Sequence, residues 1–265
     1  MYRSFCSDVP GDFSGGSMNN KVLCIGSAVV DIAASPINQD HIWKEKQKIR
    51  DISLHVGGDA VNQSLMLSLL GENSFLSVSV GPDENGFYMR SILEKRGVQT
   101  CFIREKPEYQ TGTALVIVDD RGERHIFSVI GAYSFHDRSD APELSDPKLS
   151  DLKALSIASL FDMKLFEEKG MTDYLKEAKE RNILTFADLA SDKEKKGLDG
   201  IKEFLPYLDY FLPSIYDAVE MTGKNTPEEA AQVYLELGAG AVIIKCGANG
   251  CYYRNADISG YVPAI

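Results

Sequence analysis

GGDAVNQSLMLSLLG, residues 57–71, sets a glycine-flexible polar turn directly before a short apolar helix. Gly57 and Gly58 allow backbone conformations closed to other residues and a close approach to a ligand. Asp59 reads as the N-cap of the helix. Val61, Leu65 and Leu69, spaced by four, predict a buried stripe that Leu70 widens before Gly71 ends the helix. Asn62 falls one turn in, on the side of the glycines, where an amide can both donate to and accept from a hydroxylated ligand. The same letters also suit a tight strand-to-helix connection in an α/β protein with no ligand involved.

On the N-terminal side, residues 22–25 form an apolar run closed by Gly26, and the pattern resumes over 28–32 around a single carboxylate, Asp31. Strand, turn and second strand are expected there. Residues 35–56, with Pro36, Trp43 and KEKQK ahead of DISLHV, read as an exposed ribbon. On the C-terminal side, residues 74–80 predict a buried strand and 83–95 an amphipathic helix closed by Gly97. The stretch TGTALVIVDDRGERHIFSVI, residues 111–130, predicts a hairpin turning at Asp119, Asp120, Arg121 and Gly122. Ribbon and hairpin together predict a small sheet standing off the main one. From Leu152 the βα rhythm resumes: ALSIAS, ILTFADL and YFLP as strands, helices over 171–181, 214–221 and 226–237, and a strand over 241–245 before CGANG and a hairpin-like CYYRNADISGYV. Alternation at this spacing indicates an α/β fold with a doubly wound, mainly parallel sheet and helices on both faces.

The 265 residues and their 44% apolar content suffice for one large α/β core. A net charge of −11 argues against nucleic-acid or anionic-membrane partners, which demand a basic face. Cys6, Cys24, Cys101, Cys246 and Cys251 are odd in number and scattered, the pattern of a reduced, cytoplasmic protein, with two of them in apolar runs. His41, His55, His125 and His136 show no zinc spacing, and surface or loop roles are expected for them. No run reaches the roughly 18 apolar residues of a membrane span. Residues 1–20 lack the apolar core of a secretory signal and read as a disordered leader.

Neither a GxxxxGK[ST] loop nor a GxGxxG turn after a strand occurs, so polar residues at strand ends must carry the chemistry. IGSAVVDI, HVGGDAVNQSLMLSLLG, VGPDENG, TGTALVIVDDRGER, LPSIYDAVEMTG and KCGANG, in that order, resemble the ribokinase-like PfkB carbohydrate kinases from about Lys21 to the last residue. The resemblance implies a β-sheet lid, supplied by segments of about 34–57 and 104–131, over a core that binds a sugar or sugar-like alcohol and ATP with Mg²⁺. It implies substrate-binding roles for Asp31, Gly57, Gly58, Asn62 and Gly131. Nucleotide-binding roles fall on Ser214, Lys245, Gly247 and Gly250, and a metal-organising role on Asp217. Where the family commonly has NxxE, this chain reads SIYD, and Ser214 is equally well explained as a helix N-cap. The GAGD motif that supplies the family's catalytic base and anion hole does not occur in these 265 residues. On this reading that base lies beyond Ile265, and the chain alone is expected to be inactive. A nucleoside or keto-sugar-acid kinase of the same fold, or a non-catalytic sugar- or nucleoside-binding protein, are the alternative readings. The exposed lid ribbons could also pair edge to edge in a homodimer.

Overall fold

The computed structural model describes residues 19–38, 40 and 46–264; the leader's residues 1–18, Cys6, His41 and Trp43 lie outside them. In chain order the strands are β1 (Lys21–Ile25), β2 (Val29–Ile37), β3 (Asp51–Gly57), β4 (Asn73–Ser77), β5 (Ser79–Val80), β6 (Arg104–Glu105), β7 (Gly112–Asp119), β8 (Arg124–Val129), β9 (Leu152–Leu160), β10 (Leu184–Leu189), β11 (Tyr210–Phe211), β12 (Ala241–Lys245), β13 (Cys251–Asn255) and β14 (Ser259–Val262). The helices are α1 (Asp59–Leu69), α2 (Glu84–Lys95), α3 (Lys164–Glu168), α4 (Met171–Glu180), α5 (Ile215–Thr222) and α6 (Pro227–Glu236).

The main sheet has eight strands in the order β14-β13-β12-β11-β10-β9-β1-β4, parallel from β4 to β12 and antiparallel at β13 and β14. Strand β1 shows why helices must cover both faces. Leu23 and Ile25 enter one core with Tyr174, Leu175 and Tyr234, while Val22 and Cys24 enter another with Val61, Leu65 and Met89. Alternate residues of a strand point to opposite faces, so a strand buried throughout needs a layer on each side. Burial pushes the Cys24 thiol up to about 12, leaving it an inert core group.

The second sheet has four strands in the order β3-β2-β7-β8. The expected hairpin is β7 and β8, turning at the expected residues, and the expected ribbon is β2 and β3. Strand β2 runs from Val29, so the small sheet takes up Asp31 and begins before residue 34.

Local expectations needed correction at several points. Gly58, with no side chain to cap with, is the N-cap of α1, and Asp59 is its first helical residue. Leu69 and Leu70 are exposed, and Ala60, Val61, Ser64 and Leu65 form the buried side. A spacing of four advances about 40° around a helix at each step, so the third residue of the series has turned out of the interface. The strand expected over 74–80 breaks at Val78: β4 stays in the main sheet, and β5 pairs with β6. His136 is fully buried, with Nδ1 2.8 Å from Ser79 Oγ and Nε2 3.3 Å from Ser77 Oγ. Its two serine partners come from residues nearly sixty positions earlier, so no local pattern around His136 announces its burial.

Candidate functional site

Asp31, Gly57 and Gly58 come together where the small sheet meets the main one. Gly57, Val29 and Gly112 pair in one row across β3, β2 and β7. A Cβ on Gly57 would lie 2.5 Å from Asp31 Oδ2, so the glycine makes room for that carboxylate. Burial raises the Asp31 pKa, partly offset by His55 opposite it on β3. Among the described residues the Asp31 carboxylate accepts no hydrogen bond, which leaves a part-buried acceptor with its oxygens unengaged. Gly58 adopts φ +94°, and Asn62, whose N–H bonds Gly58 O at 2.9 Å, exposes its side chain one turn along α1. Gly131 is placed differently: it is buried, and a Cβ there would lie 2.1 Å from Gly112 N, so its glycine is required by backbone packing.

The floor beside this turn is acidic. Ser27 Oγ receives the Asp59 N–H at 3.0 Å and lies 2.9 Å from Ser159 Oγ, which in turn donates to Asp59 Oδ2 at 3.2 Å. Burial, then the nearby Asp188, push Asp59 up to about 6. Asp162 follows β9 and is also raised by burial, with Lys193 at 3.4 Å offsetting part of the effect. Glu167 on α3 holds this turn: Oε1 accepts the N–H of Phe161 at 2.7 Å and of Met163 at 3.0 Å, while Phe161 adopts φ +80°. Asp188, at the end of β10, pairs with Lys245 of β12 and feels the charge of Asp217. Asp162, Asp188 and Lys245 sit at the carboxyl ends of the parallel strands β9, β10 and β12, where ligands collect in open α/β sheets.

Asp188 thereby links the turn at Gly57 and Gly58 to the second group of expected residues. Ser214 caps α5: its Oγ donates to Asp217 Oδ2 at 2.5 Å and accepts the Asp217 N–H at 3.2 Å. Ser214 also bridges β-fashion to Lys245, whose side chain is committed to Asp188. Gly247 turns at φ +58° into open space, whereas a Cβ on Gly250 would lie 1.9 Å from Val262 O, so close packing on β14 requires that glycine. Ile215, Tyr216, Cys246, Asn249 and Tyr261 line an adjacent, mostly apolar groove of about 600 Å³. Among the described residues no cluster of three or more His, Cys, Asp or Glu groups can hold a metal. The donor set, one carboxylate from Asp217 with its second oxygen unengaged, fits only a magnesium held mainly by nucleotide phosphates and water.

Five groups of this cleft carried no distinctive sequence signal: Ser159, Asp162, Glu167, Asp188 and Tyr133. The one available sign was position, since Asp188 falls at the end of the expected strand ILTFADL.

The PfkB carbohydrate kinase family model matches residues 19–265. Among curated proteins, the chain is 24% identical over 241 residues to an ATP-dependent 6-phosphofructokinase of Thermoanaerobacterium thermosaccharolyticum, covering 89% of this chain and 71% of that one. It is 25% identical to the ribokinase of Mus musculus, covering 87% and 69%. Among solved structures, an E. coli protein assigned as a ribokinase II, in complex with ATP and Mg²⁺, superposes with a TM-score of 0.76 at 24% identity, covering 93% of this chain and 79% of that one. A match over nearly the whole chain, on a fold that places the turn at 57–62 beside a carboxylate at strand ends, makes this chain a member of the PfkB family of carbohydrate kinases.

Proposed function

We propose that the protein belongs to an ATP-dependent phosphotransferase acting on an alcohol group of a sugar or sugar-like molecule, bound between the small sheet as lid and the main sheet. The observation that carries this reading is Asp31: a part-buried carboxylate that accepts no hydrogen bond among the described residues and is packed against Gly57. Substrate hydroxyls supply the missing donors, and the exposed Asn62 amide orients them.

The nucleotide lies toward Ser214, Gly247 and Gly250, with its base in the apolar groove beside Tyr216 and Asn249. Bound magnesium would neutralise phosphate charge, held by Asp217 and water. Lys245, paired with Asp188, reaches the phosphates only by leaving that carboxylate. With no GAGD segment among the 265 residues, the groups present bind and orient without supplying the family's general base, so the chain alone binds substrate but does not turn it over. A reducing compartment such as the cytoplasm fits Cys24, Cys101, Cys246 and Cys251, all free thiols. The four-stranded sheet is also the proposed homodimer contact.

Calorimetric titration of sugars and nucleosides into Asp31→Asn tests the site. Affinity for whichever ligand the wild type binds is expected to fall at least tenfold. The unfolding midpoint should stay level or rise, because the substitution removes a desolvated charge. Undiminished binding would remove Asp31 from the site. A coupled assay showing ordinary kinase turnover by the 265-residue chain would refute the statement about its activity.

A further inference from the structure

Phe161 takes a backbone conformation ordinarily left to glycine. The Asp162 N–H donates to Ser159 O at 3.1 Å, closing a four-residue turn in which Phe161 stands third, with φ +80°. A bulky side chain at that position and sign of φ is strained, and it persists only where its surroundings impose it. Here they do so from two sides. Glu167 Oε1 accepts the N–H groups of both Phe161 and Met163, at 2.7 and 3.0 Å, so one carboxylate oxygen pins the residues that flank Asp162. The Phe161 ring is seated over Gly200, where a Cβ would lie 2.6 Å from Cε1. No ion pair reaches Glu167 among the described residues: Lys164 pairs with Glu194, and Lys196 with Glu194 and Glu168. Its carboxylate is spent on the two amides.

The turn so held joins the glycine turn to the loop that follows β10. It starts at Ser159, fully buried, whose Oγ lies 2.9 Å from Ser27 Oγ and 3.2 Å from Asp59 Oδ2, directly behind Gly58. It ends at Asp162, whose side chain is 16% exposed and meets Lys193 at 3.4 Å. The Ala190 N–H donates to Leu160 O at 2.8 Å and ties the same two loops through the main chain. Resting on the sugar-kinase reading above, we propose that Glu167 is a positioning residue for ligand binding: it locks Phe161 in its glycine-like conformation and so keeps Asp162 at the carboxyl end of β9, beside the glycine turn. Without the lock the turn relaxes and carries Asp162 away from that place.

The test is calorimetric titration of the whole 265-residue protein with D-ribose, D-fructose and adenosine, repeated on variants with whichever of the three binds tightest. Glu167→Ala is expected to weaken that ligand about tenfold, whereas Glu167→Gln keeps an oxygen for both amides and should stay within about twofold of the wild type. Phe161→Gly removes the strain, so adding Glu167→Ala to it should cost less than about threefold; a merely structural glutamate would cost the same in either background. If Glu167→Ala alone does not fold, the double variant is still expected to fold and bind, because it has no strain left to release. Wild-type binding by Glu167→Ala, no rescue by glutamine, or equal losses in the two backgrounds would each overturn the inference and leave the sugar-kinase reading standing. Binding of none of the three by the wild type would overturn that reading as well.

Discussion

Gly58 holds φ at +94°, and a Cβ there would lie 2.5 Å from the Ser27 carbonyl oxygen. Both the dihedral and the contact oppose any side chain, so Gly58→Ala is expected to destabilise the fold by about 1–3 kcal/mol in urea unfolding. An unchanged midpoint would show that the turn relaxes freely. Gly71, with φ +90° and nothing within 4 Å of a Cβ, makes the contrast: there only the dihedral resists substitution. The glycine pair was therefore legible in the sequence as a special turn. Its partner was not, because Ser27 and Asp31 reach it only by the pairing of β2 with β3.

At the scale of elements, β8 is exposed along its whole length. Leu54, Ile32, Leu115 and Phe127 pair in a single row across all four strands of the small sheet, and Leu54, Leu115 and Phe127 are 45%, 40% and 62% exposed. The sequence suggested edge-to-edge pairing of ribbons; the register favours a face-to-face contact, because apolar side chains from every strand point the same way. A contiguous apolar row of this kind on a small sheet marks an interaction surface. Phe127→Glu is expected to convert a dimer to a monomer in light scattering without loss of secondary structure. A monomeric wild type would remove the proposed dimer. The strand and helix positions themselves were readable from periodicity. What periodicity missed was α1's buried side and the transfer of β2 out of the main sheet, since both depend on what an element packs against.

Three buried groups, one lowered in pKa and two raised, shape the stability of the molecule as a whole. Burial lowers His136 from 6.5 to about 4, so the folded state binds fewer protons than the unfolded one between those values. Stability from this group is present above pH 6.5 and is lost as pH falls toward 4. Burial raises Glu167 from 4.5 to about 7, against the pull of the Met163 and Phe161 amides, and raises Asp59 to about 6. Their folded values lie above the unfolded ones, so their contribution is present at low pH and is lost as pH rises through about 6 to 7. Urea unfolding at pH 5 and 8 should show Glu167→Gln gaining on the wild type as pH rises, by at most about 3 kcal/mol for a shift of this size. Parallel pH curves for the two proteins would show that Glu167 ionises freely in the folded state.

The alternation of strands and helices, the hairpin at residues 111–130, the glycine turn at 57–58 and the family are all legible in the order of the residues. These rest on local periodicity, turn chemistry and ordered motifs, which survive without knowledge of the fold. Tertiary structure alone decided which charges share the cleft. Ser159 reaches Asp59 across 100 residues, and Lys245 reaches Asp188 across 57. Proximity and desolvation are properties of packed strand ends rather than of sequence neighbours, so the acidic floor becomes visible only once the sheet is assembled.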